Sequence, residues 1–203
     1  MSIPSDETQT VFIVDDDLAI RHAMTLLMRS VGLKSEDFAT ANDFLDRFDS
    51  HRAGCLVLDI RMPGLSGLEL QQRLLELGVS IPIIFITGHA DVPMAVEAMR
   101  KGAFAFIQKP FRDQELLESI SDAMISGSRE RRKQETRSVV DARLQTLTRR
   151  EREVMDLVVA GKPNKVIAFD LGVSQRTVEV HRARVMEKMQ ARSLASLIRM
   201  NLL

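Results

Sequence analysis

The sequence predicts a doubly wound α/β domain followed by a small all-α domain built around a helix-turn-helix, and three observations predict it. Over residues 1–125, short apolar runs alternate with helical patterns, as a βα-repeating domain requires. From Ser126 that pattern gives way to a charged stretch. Beyond it, two helical patterns are separated by the tight segment Leu171-Gly172-Val173. Charge divides at the same place: residues 1–125 hold 11 Lys/Arg against 19 Asp/Glu, and residues 126–203 hold 17 against 9. An acidic half suits a cation site and a basic half suits a polyanion such as nucleic acid.

The elements follow in order. Strands are predicted at residues 11–15, 34–39, 55–59, 81–87 and 103–108, the second weaker than the rest. Helices are predicted at 18–31, with Leu26, Leu27 and Met28 near its centre, and at 41–48, 67–77, 92–101 and 113–125. Five such βα units make a doubly wound sheet. Residues 126–143 read either as a linker or as an exposed continuation of the preceding helix, since mixed Glu and Arg support both. In the basic half, Thr148 and Glu151 form a capping-box signature ahead of Val154, Leu157 and Val158. A short helix at 164–170 with Val166 and Ile167 inward comes next, then the glycine turn, then Ser174 as N-cap of a helix over 175–189.

With 203 residues and 45% hydrophobic content, the chain can bury two modest cores. The polar segment at residues 1–10 and the absence of a long apolar run predict a soluble cytoplasmic protein with no membrane partner. The single Cys55 lies inside an apolar strand and is expected to be a packed thiol. Gly161-Lys162 lacks the flanking residues of a phosphate loop, so an ATP-driven motor domain is not expected. His22, His51, His89 and His181 have no ligand spacing, and Met94 and Met99 read as core filler.

The chemistry sits at strand ends. Asp15-Asp16-Asp17 closes one apolar run and Asp59 another; in a parallel sheet both meet at the carboxyl-end crevice. Crowded carboxylates repel unless a cation lies among them, and an oxygen-only set suits a hard ion such as Mg²⁺. Thr87 and Lys109 follow the fourth and fifth strands, adding a hydroxyl and an ammonium. A nucleophilic Asp59, a dication and donors for equatorial oxygens are what phosphoryl transfer to a carboxylate needs. Singly the residues have plain readings: Asp17 as a helix cap, Thr87 as a strand end, Lys109 as a solvated lysine.

Val14-Asp15-Asp16, Asp59-Ile60-Arg61-Met62-Pro63-Gly64, Thr87-Gly88-His89 and Lys109-Pro110-Phe111 together resemble the receiver domain of two-component response regulators, across residues 11–125. The resemblance implies a flavodoxin-like five-stranded parallel sheet of order 2-1-3-4-5. It implies that Asp15, Asp16, Asp59 and the Arg61 carbonyl ligate Mg²⁺, and that Asp59 accepts a phosphoryl group from a sensor histidine kinase. Thr87 and Lys109 then bind that group, a cis bond precedes Pro110, and Phe106 stands at the family's switch aromatic. Phe106 reads equally as a core residue alternating with Ala105 and Ile107.

In the basic half, the helix over 175–189 winds Val178, Val185 and Met189 onto one stripe and Arg176, Val180, Ala183, Arg184 and Glu187 onto the other. An exposed Val among arginines suits a thymine methyl in the major groove; the plain alternative is a solvated charged face. This half resembles output domains of the LuxR/NarL type, with Arg176-Thr177-Val178-Glu179-Val180-His181-Arg182-Ala183 similar to the FixJ branch. The resemblance implies a four-helix domain over residues 144–203 whose third helix enters the major groove and whose last, around 193–202, supports dimerisation. Lys165, Arg176, Thr177, Val180, His181, Arg184 and Lys188 are the candidate DNA contacts, with His181 a packing or phosphate contact. Glu179, where some relatives carry a lysine, argues against transferring their base contacts one by one.

The sequence therefore predicts a phosphorylation-controlled transcription factor: receiver at 1–125, charged linker or extended helix at 126–143, DNA-binding domain at 144–203. A homodimer on phosphorylation, promoter DNA and RNA polymerase are its expected partners, and it is not expected to be an enzyme beyond its own phosphorylation and dephosphorylation. Two rivals stand beside it: an aspartate-nucleophile hydrolase, for which no further acid/base or cap is visible, and a DNA-binding protein whose acidic domain is never phosphorylated.

Overall fold

A computed structural model describes residues 9–50, 52–88 and 92–202, so His51 and His89 lie outside the described residues. Compactness divides the chain into residues 1–131 and 132–203.

In the first unit, β1 (Thr10–Val14), β2 (Lys34–Phe38), β3 (Gly54–Asp59), β4 (Ile83–Thr87) and β5 (Ala105–Gln108) form one sheet of order β2-β1-β3-β4-β5. Every pairing is parallel. The pleat sends alternate residues to opposite faces. Phe12, Val14, Leu56, Leu58 and Phe85 pack beneath α2 (Ala41–Arg47), α3 (Gly67–Glu76) and α4 (Val92–Arg100), with Phe44, Leu70, Leu74 and Ala98. Val11, Ile13, Cys55, Val57, Ile84 and Ile86 face α1 (Leu18–Ser30) and α5 (Asp113–Gln145), with Met24, Met28, Leu116 and Ile120. Burial on both faces is why the central strands read as continuous apolar runs. β2 is an edge strand and largely polar, which explains its weaker signal. Cys55 is fully enclosed, and burial pushes its thiol up to about 12.

Local signals fix the boundaries. Asp17 caps α1 by accepting from the amides of Ala19 and Ile20, and Ser66 with Glu69 forms a capping box on α3. At Gly67 an added Cβ would lie 2.3 Å from the Asp59 carbonyl oxygen, so only glycine lets α3 begin this close to β3.

The helix predicted over 113–125 runs for 33 residues to Gln145, so residues 126–143 are helical. Gly127 lies within that helix where the chain packs closely: a Cβ there would meet Pro82 Cγ at 2.9 Å. Met99, expected in the core, is 47% exposed.

The second unit takes the end of α5 together with α6 (Arg149–Val159), α7 (Asn164–Leu171), α8 (Gln175–Lys188) and α9 (Leu194–Asn201). Its core of Val140, Val154, Met155, Val158, Ile167, Val178, Val185, Met189 and Leu197 starts before the predicted boundary at residue 144. Gly172 closes α7 at φ 64°, a left-handed cap that makes the tight turn into α8. Val166 was expected inward beside Ile167 but is 40% exposed, because α7 buries Ile167 and Ala168 instead.

Lys188, one of the candidate DNA contacts, donates from its ammonium to Glu151 Oε2 at 2.6 Å and to the Thr146 carbonyl at 3.0 Å, tying α8 to the start of α6. Glu151 is almost fully buried, and Lys188, with the Thr148 amide, holds its carboxyl at about 2.

Two predictions follow from these contacts. Gly67→Ala should lower the urea midpoint by the equivalent of about 1–3 kcal/mol despite alanine's higher helix propensity; an unchanged midpoint would show that the β3–α3 approach tolerates a methyl group. Lys188→Met should destabilise the second unit by about 2 kcal/mol near neutral pH, because it leaves a buried carboxylate unpaired. Glu151's folded pKa is depressed from 4.5 to about 2, so the pair's stabilisation is complete above pH 4.5 and fades as pH falls toward 2. Urea unfolding of wild type and variant across that range checks it, and a gap that ignores pH would refute the ion-pair account.

Candidate functional site

The carboxyl ends of β1 and β3 bring Asp15, Asp16 and Asp59 together, with one oxygen from each within 4.8 Å of the others. Asp15 and Asp59 are buried and Asp16 is exposed, so the cluster opens to solvent on one side. Lys109, just after β5, reaches back to Asp15 Oδ2 at 2.6 Å and Asp59 Oδ1 at 3.4 Å. Its backbone amide donates to the Thr87 carbonyl at 2.8 Å, joining the ends of β4 and β5, and Thr87 itself is buried. The Lys109-Pro110 peptide is cis, as the resemblance implied.

Burial pushes the Asp59 carboxyl above its ordinary range; Lys109 opposes the rise, and Asp15 and then Asp16 add to it. One ammonium thus faces three carboxyl groups. The residues fit a hard divalent cation, which would offset the remaining negative charge through an all-oxygen donor set. Arg61 lies on the exposed loop after β3, two residues beyond Asp59. Phe106 is half-buried against the α2–α3–α4 core. It belongs to that core, as its plain reading held, yet it is not fully enclosed.

Sequence reasoning missed Arg21. On α1 it is largely buried and donates from Nη1 to the Asp15 carbonyl at 2.7 Å and from Nε to Asp37 at 3.3 Å. The guanidinium holds the backbone of the acidic turn against α1 and β2, while the Asp17 amide fixes Asp15 Oδ1 at 2.9 Å. Only the spacing of six residues from Asp15 hinted at it.

The second candidate surface lies on α8. Val178 and Val185 are buried, whereas Arg176, Ala183, Arg184 and Glu187 are exposed and Val180 is 45% exposed, matching the predicted stripes. Thr177 helps form the Ser174 cap at the exposed start of α8. Arg182 donates to Asn164 Oδ1 at 2.6 Å and braces α8 against α7. His181 is half-buried, consistent with packing, and Lys165 is exposed on α7. Arg176, Arg184 and Lys165 are exposed cations, and Lys188 is ion-paired with Glu151. Among the described residues, no helix is long and apolar enough to cross a membrane.

Comparison with known proteins identifies both domains. Residues 11–121 match the response regulator receiver domain family, and residues 145–201 match the bacterial regulatory proteins of the luxR family. The chain is 48% identical over 191 residues to nodulation protein W of Bradyrhizobium diazoefficiens, covering 94% of this chain and 84% of that protein. It is 48% identical over 193 residues to the transcriptional regulatory protein FixJ of Rhizobium meliloti, covering 95% of each. Among solved structures, the response regulator StyR superposes with a TM-score of 0.86 at 43% identity, over 96% of this chain and 98% of that one. Full-length FixJ from B. japonicum gives a TM-score of 0.59 at 41% identity, over 95% of each chain. A receiver whose acids and lysine converge, joined to a luxR-family domain with an outward basic helix, makes this chain a member of the response regulators, a transcriptional regulator of the two-component type.

Proposed function

We propose that Asp59 is the phosphoacceptor, that a sensor histidine kinase is the donor, and that the modified protein dimerises on promoter DNA to regulate transcription. The observation that carries this reading is the convergence of Asp15, Asp16, Asp59 and Lys109 at one crevice. An Asp59 carboxylate oxygen attacks phosphorus, the phosphorus–nitrogen bond of the donor imidazole breaks, and the bond electrons leave with that nitrogen. Asp15, Asp16, Asp59 and the Arg61 carbonyl would hold Mg²⁺, which would supply charge neutralisation for nucleophile and phosphoryl oxygens. Lys109 lies within hydrogen-bond reach of both buried acids and is placed to take a phosphoryl oxygen once one is present. The receiver's own chemistry is confined to gaining and losing this phosphoryl group.

The new group adds nearly two negative charges beside Thr87, whose hydroxyl turns toward it and leaves room for the half-buried Phe106 to rotate inward. The surface around α4 and β5 changes in consequence and favours a homodimer. Two α8 helices then meet a roughly palindromic site, with Arg176, Arg184, Lys165 and Thr177 supplying phosphate and base contacts, Val180 an apolar one, and His181 a phosphate contact. RNA polymerase is the downstream partner, and the protein works in the cytoplasm, where promoter and polymerase are.

Incubation with Mg²⁺ and a small phosphodonor should add the mass of one phosphoryl group, and Asp59→Asn should abolish the gain. No acyl phosphate would favour an unmodified interaction domain, and turnover of many small substrates would favour a hydrolase. Arg184→Ala should weaken operator binding and reduce the slope of log affinity against log salt by about one; an unaltered slope removes Arg184 from the contacts.

A further inference from the structure

We propose that Arg21 is a positioning residue for the Asp16 carboxylate and so sets how tightly the acidic cluster takes a divalent cation; this rests on the cation site of the reading above. Val14 is the last paired residue of β1, and the Asp15 amide beyond it still donates to the Phe38 carbonyl at 3.3 Å. The Asp15 carboxylate is fixed as well, Oδ1 by the Asp17 amide at 2.9 Å and Oδ2 by Lys109 at 2.6 Å. Its carbonyl is buried past the end of the ladder, and Arg21 Nη1 donates to it at 2.7 Å. Every polar atom of Asp15 is then held.

Asp16 is placed differently. It is exposed, and among the described residues its carboxylate has no hydrogen-bond or ion-pair partner. The link between the two acids is a planar peptide, so the Asp15 carbonyl oxygen shares one plane with the Asp16 nitrogen and Cα. Pinning that oxygen sets the direction in which Asp16 leaves the strand. Arg21 thereby places an acid that it does not touch. The guanidinium is itself held: it lies on the first turn of α1, is 8% exposed, and donates from Nε to Asp37 Oδ2 on β2 at 3.3 Å. A rigid fork bonded on two sides can fix a peptide plane, which a flexible ammonium does less well.

Two other roles for Arg21 predict different outcomes. A positive charge near a cation site repels the cation, so if charge were its whole effect, removing it would tighten binding. If Arg21 only braced α1 against β2, removing it would lower stability equally with and without the cation. Positioning alone makes binding weaker.

Mg²⁺ binding to the full chain is measured by titration calorimetry, and urea unfolding is followed with and without saturating Mg²⁺. Arg21→Met, which keeps the apolar stem, should weaken Mg²⁺ about tenfold or more, as when groups that orient metal ligands are removed. Arg21→Lys, which keeps the charge without the fork, should fall between the two. A ligand that binds only the folded chain stabilises it by an amount set by its dissociation constant. The rise in urea midpoint caused by Mg²⁺ should therefore shrink in Arg21→Met. A folded Arg21→Met that binds Mg²⁺ as well as wild type, or more tightly, overturns the proposal. So does a midpoint lowered by the same amount in both conditions, which makes Arg21 a brace alone. Should Arg21→Met not fold, Arg21→Lys decides, and wild-type affinity there overturns the proposal. A wild type that takes up no Mg²⁺ removes the cation site itself, and the positioning role with it.

Discussion

The Lys109 ammonium lies between two buried carboxylates from different strands, and the receiver's architecture depends on that balance. Asp15 ends the run of β1 and Asp59 that of β3, so their proximity is dictated by parallel pairing. Removed from water and set side by side, the two acids disfavour each other's charge. Lys109 is delivered by β5, at the far edge of the sheet from β2, and its backbone is tied to Thr87. Four strand ends are therefore coupled through one cation and one backbone hydrogen bond. The negative charge that the lysine does not cover suits a hard cation.

The second unit uses the same principle for a different purpose. Glu151 caps α6, sits almost fully buried, and is matched by Lys188 from the end of α8. That pair, with Arg182 on Asn164 and the Gly172 turn, sets the angle at which α8 leaves the domain. The helix thus divides its basic residues between two tasks: Lys188 and Arg182 hold it in place, and Arg176 and Arg184 face outward. Because the cations that fix α8 are separate from those that face out, the outward surface can vary without loosening its scaffold.

Much of this was legible in the sequence for a physical reason. Central parallel strands are enclosed on both faces, so they appear as unbroken apolar runs, and the residues that end them announce the crevice. Asp15, Asp16, Asp59, Thr87 and Lys109 could be placed together before any coordinates. The parts that were not legible depend on contacts distant in sequence. α5 continues through Gly127, where Pro82 lies too close for a side chain, although the local apolar pattern breaks there. Lys188 and Arg184 look alike on a helical wheel until the buried Glu151 identifies one as an anchor. Val166 and Ile167 are neighbours of similar character, and only the packing against α6 and α8 decides which turns inward. Arg21 carried no motif, because its partners are a backbone carbonyl and the Asp37 carboxylate on a different element.

Cys55 has a consequence of a different kind. It is the chain's single cysteine, sealed in the middle of the sheet with its thiol held protonated far above neutrality. Alkylating and oxidising agents act on thiolates, so they find nothing to attack while the sheet stays closed. The rate at which this sulfur becomes reactive is accordingly a built-in clock for the opening of β3, read from the native chain without adding any label in advance.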